Sequence, residues 1–116
     1  MSYQYSLNDD AEVEVLRQSA WYLSEIPEGG YDMACRWNSG LQTALEKLAK
    51  APHRFGFAPE NGEWLPEHEI RQMLLRPWKS GVGWRVLFTI DEEQKLVTVL
   101  QVRHEHRRWM FEGDAT

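Results

Sequence analysis

A chain of 116 residues is long enough for one domain with a hydrophobic core and too short for two domains that each bury one. Hydrophobic residues make up 42% of it, which excludes a mainly disordered chain, and no apolar run is long enough to span a bilayer. The formal net charge of -5 argues against a nucleic-acid partner, and the start of the chain lacks the pattern of a signal peptide, so we expect a cytoplasmic protein with no membrane association.

The first elements in the chain are a predicted strand and a predicted helix. Tyr3, Tyr5 and Leu7 alternate with polar residues, the period of a half-buried strand. Asp9 and Glu12 then have the spacing of a capping box, which predicts a helix start. An apolar stripe at helical spacing follows, and we expect it to face the core: Val13, Leu16, Ala20 and Leu23.

A second helix follows the breakers Pro27, Gly29 and Gly30, so that the two helices form an antiparallel hairpin. Its apolar stripe ends before Pro52, because the residue before a proline disfavours helix, and consists of Ala34, Trp37, Leu41, Leu45 and Leu48. The single cysteine, Cys35, lies in this helix and cannot form an internal disulfide. We expect it to be a buried thiol.

Beyond the hairpin the pattern predicts a long loop and three strands. Residues 53–69 show no sustained period and contain the breakers Pro59, Gly62 and Pro66, and loops of that length are often functional. Strands are predicted over residues 70–77, 84–90 and 95–103, the last two forming a hairpin. The predicted fold is α+β, with order β-α-α-β-β-β and the helical hairpin packed on a small, mainly antiparallel sheet. We expect a single domain over residues 1–116 with a flexible tail at about 111–116.

Alternation within the three C-terminal strands predicts which side chains share a face. The predicted core set is Ile70, Leu74, Trp84, Val86, Phe88, Ile90, Leu96, Leu100 and Val102. The opposite set brings Arg71, Arg85 and Arg103 onto one open surface, where guanidinium groups could bind phosphate or a partner's carboxylates. The alternative is that these arginines are solvated or paired with acids of the helices and loop. Residues 70–110 carry eight Lys or Arg against four acids, so this part of the chain is basic.

The segment that follows the last strand holds the densest cluster of hydrogen-bonding side chains. His104 is a candidate general acid or base, because histidine has both proton states near neutral pH, or else an exposed polar residue. Arg107, Arg108 and Trp109 are candidates for binding a substrate or partner, although Trp109 could equally anchor the tail. Metal-ligand spacing and nucleotide-binding motifs are missing from the sequence, so we expect no metal and no small-molecule cofactor.

Three stretches in this order resemble the C-terminal strands of RelE/ParE superfamily toxins, which include plasmid-stabilisation proteins. They are residues 70–75 (IRQMLL), 84–91 (WRVLFTID) and 97–104 (VTVLQVRH). Upstream, Ala11-Glu12 and residues 48–52 and 58–60 are also similar in type and spacing. The resemblance covers about the whole chain.

This resemblance implies a toxin of a bacterial type II toxin-antitoxin module, neutralised by a cognate antitoxin protein. RelE-like members cut mRNA on the ribosome without metal, whereas ParE-like members inhibit DNA gyrase. For the endoribonuclease branch it implies catalytic roles for Arg71, Arg85 and His104, with Arg103 near the scissile phosphate.

The chain departs from the endoribonuclease branch in two respects. It is acidic overall, and Trp84 and Phe88 stand at positions that are often Tyr in the family. Three functions therefore stay open: a ribosome-dependent mRNA endoribonuclease, a gyrase inhibitor without catalysis, and a non-toxic member that only binds its antitoxin.

Overall fold

A computed structural model describes residues 2–63, 67–78 and 83–104 of the chain. In chain order its elements are β1 (Gln4–Leu7), α1 (Asp9–Glu25), α2 (Gly30–Lys50), a 3-10 turn (Pro52–Arg54), β2 (Arg71–Leu75), β3 (Trp84–Asp91) and β4 (Leu96–His104). The predicted α+β class and the order β-α-α-β-β-β are confirmed. The tail predicted at about 111–116 lies outside the described residues.

The four strands form one sheet in the order β1-β4-β3-β2. β3 and β4 form the predicted antiparallel hairpin, and β2 pairs antiparallel with β3. β1 pairs with β4 in parallel, so the described sheet is mainly antiparallel with one parallel pair. β1 and β2 are therefore the edges, and the arginine-bearing strands β3 and β4 lie at the centre.

Helix α1 begins one residue earlier than the predicted capping box implies. Its N-cap is Asn8, whose side-chain oxygen accepts a hydrogen bond from the backbone N–H of Ala11 at 3.0 Å. This bond satisfies one of the free N–H groups of the first turn. Asp9 and Glu12 instead lie inside the first turn, where their charges favour the positive end of the helix dipole.

The apolar stripe of α1 that was predicted to face the core faces solvent. Leu16 is 68% exposed, Leu23 54% and Val13 44%. The buried face carries Ala11 and Tyr22 instead. α1 has apolar residues on two sides, and the side with Ala11 and Tyr22 packs in one cluster with residues of α2 and the sheet.

Helix α2 buries the predicted stripe completely, with Trp37 and Leu48 fully inaccessible. The ring of Trp37 packs edge to face on Trp84 of β3, with centroids 5.7 Å apart, and so joins the helices to the sheet.

Cys35 is exposed, and the prediction of a buried thiol was wrong. It follows Ala34 by one position, which turns its side chain about 100° away from the core face.

The main core lies between the helices and one face of the sheet. Its sheet residues are Met73, Leu75, Trp84, Val86, Phe88, Val97, Val99 and Val102. A β-bulge between Leu87 and Phe88 shifts the register of β4, so that Val99 rather than Leu100 pairs with Phe88. The prediction that Leu96 and Leu100 face the main core was therefore wrong. Leu74 of β2 and Ile70 just before it also lie on the opposite face, where Ile70 and Leu100 are nevertheless buried.

Residues 55–61, which we call the cover segment, pass along the edge strand β2, with Phe55 packed against the main core and Ala58 and Glu60 over the opposite face of the sheet. Ala58 packs with Ile70, Leu87 and Leu100 in a second buried cluster. Backbone hydrogen bonds hold the cover segment to the start of β2, from Ala58 N–H to the carbonyl of Ile70 at 2.8 Å and from Gln72 N–H to that of Gly56 at 3.0 Å. The sheet thus has apolar clusters on both faces.

The described helices include none that is both long enough and apolar enough to cross a membrane.

Candidate functional site

Arg85 and Arg103 lie side by side on the covered face of the sheet. The register of the central hairpin pairs Arg85 of β3 directly with Arg103 of β4. Both follow the alternation predicted for these strands, but the surface is not open. Arg103 is 0% exposed and Arg85 6%. Two buried guanidinium groups therefore lie side by side on adjacent strands of this face.

Glu60 of the cover segment supplies the counter-charge for Arg85. Its two carboxylate oxygens accept hydrogen bonds from Nη1 at 2.9 Å and from Nη2 at 2.5 Å, and the Glu60 side chain is completely buried. The Nε–H of Arg85 donates to Oε1 of Gln72 at 3.0 Å. The guanidinium is therefore held in a bidentate pair with additional hydrogen bonding, as a buried charge requires.

The backbone of the cover segment fixes the position of Glu60. The N–H of Asn61 donates to the carbonyl of Ala58 at 2.9 Å, and the Asn61 side chain accepts from the backbone N–H of Ile70 at 2.8 Å. The first bond closes a compact turn around Glu60, and the second attaches this turn to the residue that precedes β2. The alternative considered from the sequence, an arginine paired with an acid of the loop, is what the structure shows for Arg85.

Arg71 lies on the other face of the sheet, so the predicted convergence of three arginines was wrong. β2 pairs Arg71 with Phe88, a residue of the main core. The Arg71 Nη1–H donates to the carbonyl of Phe55 at 2.5 Å, and its guanidinium carbon lies 4.4 Å from the ring centroid of Phe57. The register of β2 is set by burial of Met73 and Leu75, and this places Arg71 on the helix side.

His104 also faces the helix side, away from the buried arginines. It pairs with Trp84 at the end of β4, and the two rings meet edge to face with centroids 5.7 Å apart. A cleft of about 310 Å³ lies beside it, lined by Gln18, Trp21, Tyr22, Trp84 and His104. The sheet itself therefore separates the imidazole from Arg85 and Arg103. The catalytic roles suggested for Arg71, Arg85 and His104 stay predictions.

The other predicted binding residues, Arg107, Arg108 and Trp109, lie outside the described residues. Within the described ranges, His, Cys, Asp and Glu side chains form no group of three that could hold a metal ion.

A second polar cluster, at the turn between β3 and β4, is centred on Glu92. Its carboxylate accepts hydrogen bonds from Tyr3 Oη at 2.8 Å and Lys95 Nζ at 3.0 Å, and it contacts the imidazole of His53. These hydrogen bonds, that of His53 first, lower the pKa of Glu92 from 4.5 to about 2. The cluster is exposed and joins the start of the chain, the 3-10 turn and the hairpin. Its geometry indicates a structural role, in which the cluster holds these three parts of the chain together.

Glu60 is the site residue that the sequence reasoning missed. The loop was identified as a candidate functional segment, but Glu60 is one of several acids there and no periodicity indicates its orientation. The apolar Ala58 two positions earlier is the one local sign that this part of the loop packs on the sheet.

No protein-family model and no curated protein matches this chain. Two toxin-antitoxin complexes are among the solved structures that are similar to it. A crystal structure of the toxin-antitoxin complex RelBE2 from Mycobacterium tuberculosis contains a chain with 21% identity and a TM-score of 0.49, over 90% of this chain and 99% of that one. A crystal structure of the archaeal RelE-RelB complex from Pyrococcus horikoshii OT3 gives 14% identity and a TM-score of 0.44, over 92% and 99%. At these values neither similarity carries an argument about the family or the activity of this chain.

Proposed function

We propose that this protein is the toxin component of a type II toxin-antitoxin module and that it acts by binding a protein target rather than by cleaving RNA. The module is supported by the ordered strand segments that resemble RelE/ParE toxins, together with the β-α-α-β-β-β order. The partners expected from that resemblance are a cognate antitoxin and, as target, DNA gyrase.

The observation that carries the binding mode is the division of the candidate catalytic residues between two faces. A metal-independent ribonuclease needs a base near the ribose hydroxyl and cations on the same phosphate. Here Arg85 is neutralised by Glu60, and His104 lies across the sheet from it. A phosphate could reach Arg85 only after Glu60 had been displaced, and it would still be remote from His104. Binding of a protein target requires no such assembly.

Induced expression in a bacterium that lacks the antitoxin gene tests this proposal. We expect growth arrest with a DNA-damage response and intact mRNA, and inhibition of supercoiling when the purified protein is added to gyrase. Codon-spaced breaks in ribosome-bound mRNA would refute the binding mode. Unimpaired growth with the folded protein present would refute a toxin and favour a member that only binds its antitoxin.

The variant His104→Ala, with His68→Ala as its control, separates the modes further. His68 is an exposed loop histidine, so its loss changes the same side chain at a remote place. Under the binding mode we expect both variants to arrest growth alike. Arrest that is lost in His104→Ala alone, together with mRNA cleavage in the parent, would support the endoribonuclease predicted from the resemblance.

A further inference from the structure

Two adjacent cavities form a cleft between helix α2 and the edge strand β2, and we call it the α2–β2 cleft. The larger cavity, of about 560 Å³, is mainly apolar and also carries the hydroxyl groups of Ser39 and Thr43. The smaller cavity, of about 330 Å³, is lined by Lys47, Lys50, Ala51, Arg54 and Phe55. Lys47 and Phe55 line both cavities, so the cleft has an apolar end and a cationic end. Both volumes lie in the range of pockets that bind small molecules.

The cationic end brings three positive charges together in a protein whose net charge is -5. Lys47 and Lys50 belong to the last turn of α2, and Arg54 belongs to the 3-10 turn that follows. Backbone hydrogen bonds fix this turn, from Ala51 N–H to the carbonyl of Leu48 at 3.2 Å and from Arg54 N–H to that of Ala51 at 3.1 Å. The three side chains therefore start from fixed backbone positions around one cavity, an arrangement that favours an anion with more than one negative charge.

Acids of the chain do not neutralise these three cations. Among the described residues, no carboxylate forms an ion pair with Lys47, Lys50 or Arg54, although α2 does contain an ion pair between Arg36 and Asp32 at 3.9 Å. Lysines in the last turn of a helix complement the helix dipole, which accounts for two of the three charges. Arg54 lies beyond the end of the helix, and the dipole does not account for it.

The apolar end begins at Phe55, which lies where the two cavities meet. Its ring packs edge to face on Phe88 with centroids 6.2 Å apart, so the ring is held in place by the main core. An aromatic ring beside an apolar cavity fits a planar ring of a ligand, and a nucleobase stacks on such rings whatever its identity. The hydroxyls of Ser39 and Thr43 match the polar edge of a base, whereas a hydrocarbon chain would leave them without hydrogen bonds.

We propose that the α2–β2 cleft binds a nucleoside diphosphate or triphosphate, with the base in the apolar end and the phosphates at the cationic end. The charges of two or three phosphates match the three cations, and the base matches the aromatic ring and the hydroxyls. This inference goes beyond the proposed function and does not depend on it, because it uses the residues of the cleft alone.

Isothermal titration calorimetry of the whole protein tests the proposal with ATP, GTP, CTP and UTP. Inorganic triphosphate lacks the base, the corresponding nucleosides lack the phosphates, and dodecyl phosphate replaces the base with a hydrocarbon chain. We expect at least one nucleotide to bind about tenfold more tightly than triphosphate, than its own nucleoside and than dodecyl phosphate. Its affinity should fall as salt is raised, because salt screens the exposed cations.

The variant Arg54→Glu tests the cationic end. We expect it to weaken binding of the nucleotide and of triphosphate by about tenfold, because it replaces a phosphate donor with a like charge. Arg17→Glu is the matched control, since it makes the same change of charge at an exposed arginine of α1 that lines neither cavity. This control should bind both ligands about as tightly as the parent does.

The variant Gly40→Leu tests the apolar end, which Gly40 lines. A Cβ added at Gly40 has its nearest contact with Pro77 at 3.6 Å, so a leucine is accommodated at its first carbon and its remaining atoms occupy part of the cleft. We expect the affinity for the nucleotide to fall to that for triphosphate, while the affinity for triphosphate stays unchanged. Gly40→Ala is the matched control and should bind as the parent does. Near-UV circular dichroism verifies that each variant keeps the native packing.

Four results would overturn the proposal. Nucleotides that bind no more tightly than triphosphate would exclude recognition of a base. Equal weakening by Arg54→Glu and Arg17→Glu would mean that the total charge, rather than the cleft, determines binding. Unchanged nucleotide binding by Gly40→Leu would exclude the apolar end as the place of the base. Dodecyl phosphate that binds more tightly than every nucleotide would make an anionic lipid the ligand.

Discussion

The buried pair between Glu60 and Arg85 gives the sharpest test of how the cover segment is held to the sheet. Glu60→Gln preserves the shape of the side chain and removes its charge, leaving Arg85 as an uncompensated cation that is 6% exposed. Breaking a buried pair by removing one partner costs about 3–5 kcal/mol. We therefore expect a loss of that size in the free energy of unfolding. At roughly 4 °C per kcal/mol for a domain of this length, the melting temperature should fall by about 12–20 °C.

Urea unfolding followed by tryptophan fluorescence measures this loss. Glu63→Gln is the matched control, because Glu63 is an exposed glutamate three positions along the chain, and its substitution should change stability by less than about 0.5 kcal/mol. If the single variant is too unstable to study, Glu60→Leu/Arg85→Met provides a second test, since replacing both charges removes the need for pairing. We expect this double variant to be more stable than Glu60→Gln.

Results close to those of the control would refute the reasoning. A Glu60→Gln variant within about 1 kcal/mol of the parent means that water reaches Arg85 in solution. A double variant that is less stable than the single one means that the hydrogen bonds, rather than the balance of charge, stabilise the cover segment.

Two further predictions concern the exposed carboxylate cluster and the helical hairpin. The hydrogen bonds lower the pKa of Glu92 from 4.5 in the unfolded chain to about 2 in the folded protein. The ionised carboxylate therefore stabilises the fold fully at pH values above 4.5, and this stabilisation disappears as the pH falls through about 2. The parent should therefore have a larger free energy of unfolding in urea than Glu92→Gln at about pH 5, and this difference should shrink as the pH is lowered to about 3. A difference that stays constant over this range would contradict the prediction. Gly30→Ala should destabilise the protein, because an added Cβ would lie 2.2 Å from the carbonyl oxygen of Tyr22. Gly40→Ala should instead stabilise α2 by about 0.5–1 kcal/mol, because the nearest atom to a Cβ added there is 3.6 Å away. Thermal unfolding of the two variants measures both effects, and equal melting temperatures would exclude the close contact.

The sequence alone determined the order and type of the elements. Strong periodicity identified the buried face of α2, whose stripe has few apolar competitors on the other side. Alternation along β3 identified Trp84, Val86 and Phe88 as core residues and placed Arg85 on the opposite face. These features follow from short-range pattern, because 3.6 and 2 residues per repeat fix which side chains share a side.

Tertiary structure decided which side faces inwards wherever both sides of an element are apolar. α1 offers two apolar faces, and packing against α2 and the sheet buries the one with Ala11 and Tyr22. On β4, one bulged residue exchanges Leu100 for Val99 on the core face.

The arrangement of the candidate site also depended on which face of the sheet carries each arginine. Arg85 and Arg103 could be predicted to be neighbours, but the burial of Arg85 against Glu60 brings together residues 25 positions apart along the chain. The placement of Arg71 followed from one position of register on β2. Long-range pairing of this kind depends on how well whole surfaces pack together. No local pattern records that, so the tertiary structure was needed to show that Arg85 is buried in an ion pair and that Arg71 lies on the opposite face.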